Sequence, residues 1–103
     1  MEKVIRDGKV AVLISPGYGA GWYSWNTEHK ELIFSPKLVE MVEYGMREDI
    51  DDKWVLDNLG IDIYTGGAYT LEINWIPEGT PFVIEEYDGA ECIKIVSDLT
   101  ITA

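Results

Sequence analysis

The chain has 103 residues, of which 8 are Lys or Arg, 19 are Asp or Glu, one is Cys and one is His, so its formal net charge is -11. This length suits one domain of the common size, about 100 to 150 residues, and we expect residues 1–103 to form a single domain. The chain is too apolar for a disordered protein and too acidic for the usual nucleic-acid-binding protein, and it has no apolar run near the roughly 18 residues of a membrane helix.

The first half of the chain predicts a strand, a loop and two helices. Residues 10–14 are a continuous apolar run between turn residues, which is typical of a buried strand. Residues 15–27 follow with glycines at alternate positions among aromatic residues, and this lack of helical or strand periodicity predicts a loop. Ser-Pro at residues 35–36 predicts the start of a helix that ends at Gly45. Acidic residues ahead of an apolar stripe predict a second helix over about residues 48–59.

From residue 61 onward the apolar pattern changes to period two. Residues 70–76, 82–87 and 92–96 predict three strands, and the Asp88-Gly89 pair between the last two is a strong hairpin signal. The sequence therefore predicts an α+β fold. We expect an antiparallel sheet of about four strands, one N-terminal strand and a C-terminal meander, with two helices packed on one face.

The loop after the first strand is the strongest candidate for a binding site. Glycines let the backbone approach an anion and turn successive N–H groups toward it, and aromatic rings stack on bases. The spacing matches neither the dinucleotide fingerprint nor the P-loop. The predicted ligand-binding residues are Ser15, Gly17, Tyr18, Gly19, Gly21, Trp22, Tyr23, Trp25 and Asn26. An alternative interpretation is a packed turn whose rings close the end of the core.

A second glycine turn lies at residues 64–69, between two tyrosines. This turn would form the opposite wall of a pocket with the first loop. Its alternative interpretation, a plain connection between elements, is the commoner case.

No combination of residues predicts catalysis or metal binding. His29 has no second His or nearby Cys with which to hold a metal ion, and Cys92, on an alternating strand, is predicted to be a small buried core residue. Asp49, Asp51 and Asp52 lack the spacing of a calcium-binding loop. Glu85 and Glu86 would point to opposite faces of a strand, which argues against a shared acid and base site. We therefore expect no enzymatic activity, no cofactor and no metal site.

The resemblance of the chain to known proteins rests on three segments. They are residues 15–26 (SPGYGAGWYSWN), residues 32–42 and residues 75–89 (WIPEGTPFVIEEYDG). The chain resembles a family of small acidic proteins encoded by tailed bacteriophages, over roughly residues 8–92. The resemblance implies that the protein acts in the infected bacterial cytoplasm. It identifies no site residues in this chain. The single cysteine and an N-terminus without the apolar core of a secretory signal also favour the cytoplasm.

The first predicted function is a non-catalytic sponge for a nucleotide-derived host immune signal, such as a cyclic nucleotide or an ADP-ribose-like molecule. Amides of the loop glycines would hold the phosphates, the loop rings would stack on the base, and a homo-oligomer would form the pocket between its subunits. The cations predicted to offset the acidic charge are Arg6, Lys9 and Lys30.

The second predicted function is an acidic inhibitor that binds a basic surface of a host protein, either a nucleic-acid-binding or a defence protein. The predicted contact surface is the acidic face of the two helices, formed by Glu40, Glu43, Glu48, Asp49, Asp51, Asp52 and Asp57. Long nucleic acids and membranes are not expected as partners.

Overall fold

The computed structural model describes residues 1–96, and this part of the chain contains five strands and three α-helices. In chain order the elements are β1 (Ile5–Arg6), β2 (Lys9–Ile14), α1 (Glu31–Phe34), α2 (Pro36–Glu43), α3 (Asp52–Leu59), β3 (Glu72–Pro77), β4 (Phe82–Tyr87) and β5 (Ala90–Ile95). Short 3₁₀ helices lie at Arg47–Asp49 and Ala68–Thr70. The predicted α+β class is confirmed.

The strands form two antiparallel sheets, where the sequence predicted one. β2 lies in the middle of the three-stranded sheet β1-β2-β3, and its pairing with β3 runs from Lys9 opposite Pro77 to Ile14 opposite Glu72. β4 and β5 form a separate hairpin. The hairpin is separate because β2 needs apolar cover on both faces, and one continuous sheet would leave one face open to water.

Two apolar clusters lie on opposite sides of β2. Leu13 faces the larger cluster, which the helices and the loop after β2 cover, whereas Val12 faces the smaller one. In the smaller cluster, the Phe34 ring of α1 meets the Phe82 ring of β4 edge to face, with centroids 6.5 Å apart. The continuous apolar run in the sequence is thus explained by a strand that is buried on both faces.

Capping residues set the ends of the two predicted helices. The Ser35 hydroxyl accepts a hydrogen bond from the Leu38 amide at the start of α2, over 3.4 Å. At the start of α3, the Asp51 carboxylate accepts from the Trp54 amide over 2.8 Å, and Gly60, at φ 71°, ends the helix. α3 begins later than predicted because the residues just before Asp51 form a 3₁₀ helix of their own.

Asp-Gly turns close both hairpins. Asp88 and Gly89 have φ values of 50° and 85° and join β4 to β5 as predicted. Asp7 and Gly8, with φ values of 51° and 75°, join β1 to β2 in the same way. Two successive positive φ values define the type I′ turn, whose twist matches that of paired strands. The sequence did not predict the first hairpin because β1 has only two residues.

We expect Leu13→Ala to destabilise the protein by about 2 to 5 kcal/mol, because Leu13 is fully buried between the sheet and the helices. Chemical denaturation followed by tryptophan fluorescence measures this change. Leu56→Ala is the matched control, since Leu56 is 49% exposed on α3 and its truncation should change stability by no more than about 0.5 kcal/mol. Equal losses in the two variants would contradict the placement of β2 at the centre of the core.

Candidate functional site

Three separate segments bring exposed aromatic side chains together on one surface, here called the aromatic face. Each of these side chains belongs to a residue that is between 52% and 74% exposed. The aromatic face consists of Tyr18 and Trp25 from the loop after β2, Tyr64 and Tyr69 from the second glycine turn, and Tyr87 from the end of β4. Soluble proteins rarely leave so many large rings in water on one surface unless that surface binds something.

Direct contacts hold three of the five side chains of the aromatic face, those of Trp25, Tyr64 and Tyr69. The Trp25 and Tyr64 rings stack, with centroids 6.5 Å apart and planes inclined by 23°. The Tyr69 hydroxyl donates a hydrogen bond to the Tyr18 carbonyl oxygen over 3.3 Å. The second glycine turn therefore packs against the first loop, but none of its residues lines the cleft between that loop and the β4–β5 turn.

Part of the aromatic face surrounds an open cleft of about 720 Å³, here called the aromatic cleft. Its rings are Tyr18, Trp25 and Tyr87, and its charged side chains are Glu86 and Asp88. None of the described residues that line the aromatic cleft is Lys, Arg or His. Two carboxylates and three electron-rich ring faces give the cleft a negative potential.

The buried side chain of Glu91 joins the β4–β5 hairpin to the loop after β2. Glu91 is only 3% exposed, and its Oε1 accepts hydrogen bonds from the Ser15 amide (2.9 Å) and the Ser15 hydroxyl (3.1 Å). Its Oε2 accepts from the Ser24 amide over 2.6 Å. The Glu91 amide in turn donates to the Ser15 carbonyl oxygen over 2.8 Å. These four bonds fix the position of Tyr87 relative to Tyr18 and Trp25.

Two glycines allow the segments of the site to approach at backbone distance. A Cβ atom on Gly89 would lie 2.6 Å from the Gly19 carbonyl carbon, and one on Gly67 would lie 2.7 Å from the Ala20 carbonyl oxygen. Both positions therefore exclude any larger residue without movement of the backbone. The Gly19 amide also donates to the Asp88 carbonyl oxygen over 2.7 Å, which closes the floor of the aromatic cleft.

Trp22 and Ser15, two of the predicted ligand-binding residues, are fully buried. The Trp22 ring packs in the larger apolar cluster, and its Nε1–H donates to the Leu32 carbonyl oxygen over 2.8 Å. The Ser15 hydroxyl accepts from the Trp22 amide over 3.0 Å and donates to Glu91. The prediction that Trp22 stacks on a ligand is wrong, because its ring completes the core. For these two residues the packed-turn interpretation describes the loop.

The other predicted residues divide between packing and surface. A side chain on Gly17 would collide with Thr70, and one on Gly21 with Ser24 and Trp25, so both glycines permit tight packing of the loop. The Asn26 side-chain amide donates to the Trp22 carbonyl oxygen over 2.8 Å. Tyr23 is half-buried and lines a different cavity, of about 470 Å³, between α1 and β4. Of the predicted site, Tyr18, Gly19 and Trp25 lie together at the aromatic cleft, and their role in ligand binding stays a prediction.

The sequence interpretation missed Glu91, although the pattern of β5 carries a signal for it. Period two on β5 places Glu91 on the same side as Ile93 and Ile95, and these three residues are less exposed than Cys92. The prediction that Cys92 is buried is therefore wrong, because it lies on the outer face of the hairpin. An inward acidic residue on an apolar strand face is a sign of a buried polar contact.

Much of the predicted acidic helix surface is occupied by contacts within the chain. Glu43 accepts two hydrogen bonds from the Arg6 guanidinium, over 2.6 and 2.8 Å, and this pairing lowers the pKa of Glu43. Asp57 pairs with Lys53 over 2.7 Å, and Asp51 caps α3. Of the seven predicted residues, Glu40, Glu48 and Asp49 are exposed and make no side-chain hydrogen bond with another described residue.

Asp52 connects the first turn of α3 to the second glycine turn. Its Oδ1 accepts hydrogen bonds from the Thr65 hydroxyl (2.7 Å) and the Thr65 amide (2.8 Å), and these bonds hold the pKa of Asp52 below its usual value. Tyr64 and Gly66 flank Thr65, so Asp52 helps to position the turn that supports Trp25.

We expect the contribution of Asp52 to stability to be lost in acid. Because its folded pKa is lowered, the carboxylate stabilises the fold above about pH 4 and stops doing so as the pH falls through the folded pKa. Wild type should therefore exceed Asp52→Asn in unfolding free energy at about pH 7, and the gap should narrow as the pH falls below about 4. Thermal denaturation across this range measures it, with Asp62→Asn, on an exposed residue, as the control. A gap that is constant with pH would contradict the assignment.

We expect Glu91→Ala to destabilise the fold strongly, because truncation leaves the Ser15 and Ser24 amides and a hydroxyl without their acceptor. Each buried group left unsatisfied costs about 1 to 3 kcal/mol. Denaturant unfolding measures the loss. The matched control is Glu85→Ala on the exposed Glu85 of β4, which should have little effect. Similar unfolding midpoints for the two variants would show that Glu91 does not hold the hairpin to the loop.

Residues 1–96 contain no group of three or more His, Cys, Asp or Glu side chains that could hold a metal ion. No helix among these residues is both long enough and apolar enough to cross a bilayer. Comparison with protein-family models, with curated proteins and with solved structures found no significant match to the chain.

Proposed function

We propose that the chain is a non-catalytic interaction protein that binds a positively charged surface of another protein through the aromatic face. The observation that carries this proposal is the cluster of five exposed rings from three segments beside two carboxylates, with the Trp25 ring stacked on Tyr64. Tyrosine and tryptophan are enriched at the centres of protein interfaces, because a rigid ring gives a large contact area and loses little conformational freedom.

Charge favours a basic partner over a neutral one. The whole chain carries a formal charge of -11, and Glu86 and Asp88 carry part of it into the aromatic cleft itself. Such a field attracts cationic surfaces over about 10 Å at moderate salt and speeds their association. In the setting that the phage resemblance implies, the partner would be a host nucleic-acid-binding or defence protein in the bacterial cytoplasm.

This proposal keeps the predicted class of partner but moves the contact surface. The helices were predicted to present seven acidic residues, yet Glu43, Asp51, Asp52 and Asp57 make contacts within the chain. Their charges still add to the long-range field. The aromatic face offers both charge and apolar area at one place, and apolar area is what gives a complex its lifetime.

A nucleotide sponge is the second candidate function. The rings of Tyr18, Trp25 and Tyr87 around a cleft of about 720 Å³ support it, since such rings stack on bases. Phosphates find less support there, because the Gly19 amide is already bonded to the Asp88 carbonyl oxygen and both charged side chains of the cleft are acidic. A homo-oligomer whose second subunit brings cations to the cleft would supply what this candidate needs.

The predicted cations lie elsewhere on the subunit. Arg6 pairs with Glu43 and lies over the Trp75 ring, 5.3 Å from its centroid. Lys9 lines a cavity beside Arg6, and Lys30 lines the cavity between α1 and β4. None of these three residues lines the aromatic cleft, which is why the protein-binding proposal is placed first.

Capture experiments test the proposal directly. The immobilised wild-type chain should retain a protein with a basic surface from bacterial lysate, and retention should weaken with salt. Trp25→Ala combined with Tyr87→Ala should abolish retention. The control is the triple variant Glu40→Gln, Glu48→Gln, Asp49→Asn, which removes helix charge and leaves the aromatic face intact.

Two outcomes would overturn the proposal. If the helix triple variant loses the partner and the Trp25→Ala, Tyr87→Ala variant retains it, the contact surface lies on the helices and not on the aromatic face. Absence of any such partner, together with tight calorimetric binding of a cyclic dinucleotide or an ADP-ribose derivative that is recovered unchanged, would favour the sponge.

A further inference from the structure

The aromatic cleft combines three features that rarely occur together on a protein surface. It has exposed ring faces on Tyr18, Trp25 and Tyr87, and it has carboxylates on Glu86 and Asp88 at its edge. It also has a backbone floor that is closed by its own hydrogen bond, from the Gly19 amide to the Asp88 carbonyl oxygen. An anion would meet like charge there, whereas a cation would meet both ring faces and acceptors.

The cleft is organised before any ligand arrives. The Glu86 Oε1 accepts from the Gly89 amide over 2.5 Å, which orients the carboxylate. Trp25 is held by its stacking with Tyr64, and the hairpin that carries Tyr87 is held to the loop by Glu91. Trp25 and the Glu86 carboxylate are therefore already oriented when a ligand arrives, and this lowers the cost of binding.

We propose that the aromatic cleft binds the guanidinium group of an arginine side chain, presented by the protein partner; this inference rests on the proposed function. A guanidinium is planar and weakly hydrated, so it stacks on ring faces while its edge donates hydrogen bonds to carboxylates. A lysine ammonium is a compact, strongly hydrated charge that cannot stack in this way. The free Oε2 of Glu86 and the Asp88 carboxylate are the acceptors for the edge of the guanidinium.

Three short peptides test the chemistry. They are acetyl-Gly-Ser-Arg-Ser-Gly-amide and its versions with lysine or citrulline in place of arginine, citrulline being the uncharged isostere. Two-dimensional NMR of the indole N–H groups reports binding, and the Trp25→Phe spectrum identifies the Trp25 signal. The arginine peptide should shift the Trp25 signal saturably, the lysine peptide should bind several-fold more weakly, and the citrulline peptide should give no saturable shift. The Trp22 indole, buried and bonded to the Leu32 carbonyl, is an internal reference that should not move.

A matched pair of variants isolates the role of charge. Asp88→Asn removes one carboxylate from the cleft and keeps a residue that tolerates the φ of 50° found there. Asp7→Asn makes the same change in the other Asp-Gly turn, at φ 51° and outside the aromatic cleft. Asp88→Asn and Tyr87→Ala should each weaken arginine-peptide binding about two- to five-fold, and Asp7→Asn should leave it unchanged.

Three results would overturn the inference. They are equal affinity for the citrulline and arginine peptides, equal effects of Asp88→Asn and Asp7→Asn, and tighter binding of adenosine monophosphate than of the arginine peptide at the Trp25 signal. If the arginine peptide fails to bind while aromatic variants still lose the captured protein, the guanidinium inference falls and the proposed function stands. If the arginine peptide binds but the aromatic variants capture the protein partner as well as wild type does, the proposed function is wrong instead.

Discussion

The buried carboxyl group of Glu91 is the contact on which the arrangement of the site depends. Near the start of β5, it accepts hydrogen bonds from two backbone amides and one hydroxyl of the loop after β2. A buried polar group is tolerated only when it is hydrogen-bonded, so each partner holds the other in place. Without the Glu91 carboxylate, the two walls of the aromatic cleft would lose three of the hydrogen bonds that join them. The backbone bonds from the Gly19 amide to the Asp88 carbonyl oxygen and from the residue 91 amide to the Ser15 carbonyl oxygen would remain.

The same contact explains why the loop divides into inner and outer residues. Ser15 and Trp22 turn inward, where one completes the polar contact and the other fills the core. Tyr18, which lies between these two inner residues, and Trp25, which follows the Ser24 amide bound by Glu91, both have exposed side chains. The loop after β2 therefore contains both buried residues, which pack in the core, and exposed aromatic residues, which line the aromatic cleft.

Charge and aromatic area act at different ranges in the proposed function. The net charge of -11 is spread over the molecule and governs which partners approach. The rings and the two carboxylates of the aromatic cleft act only at contact and govern which chemical group stays bound.

The sequence by itself determined the α+β class, the buried strand, the Asp88-Gly89 hairpin and the two helices, because each depends on local periodicity, capping or turn chemistry. It also singled out the loop after β2. Only the tertiary structure decided that the strands divide into two sheets, that Trp22 is core, and that Tyr87 and Trp25 line one cleft. These outcomes could not be read from the chain, because they depend on contacts between separate elements, some of them far apart in sequence, such as Ser24 with Glu91 at a separation of 67.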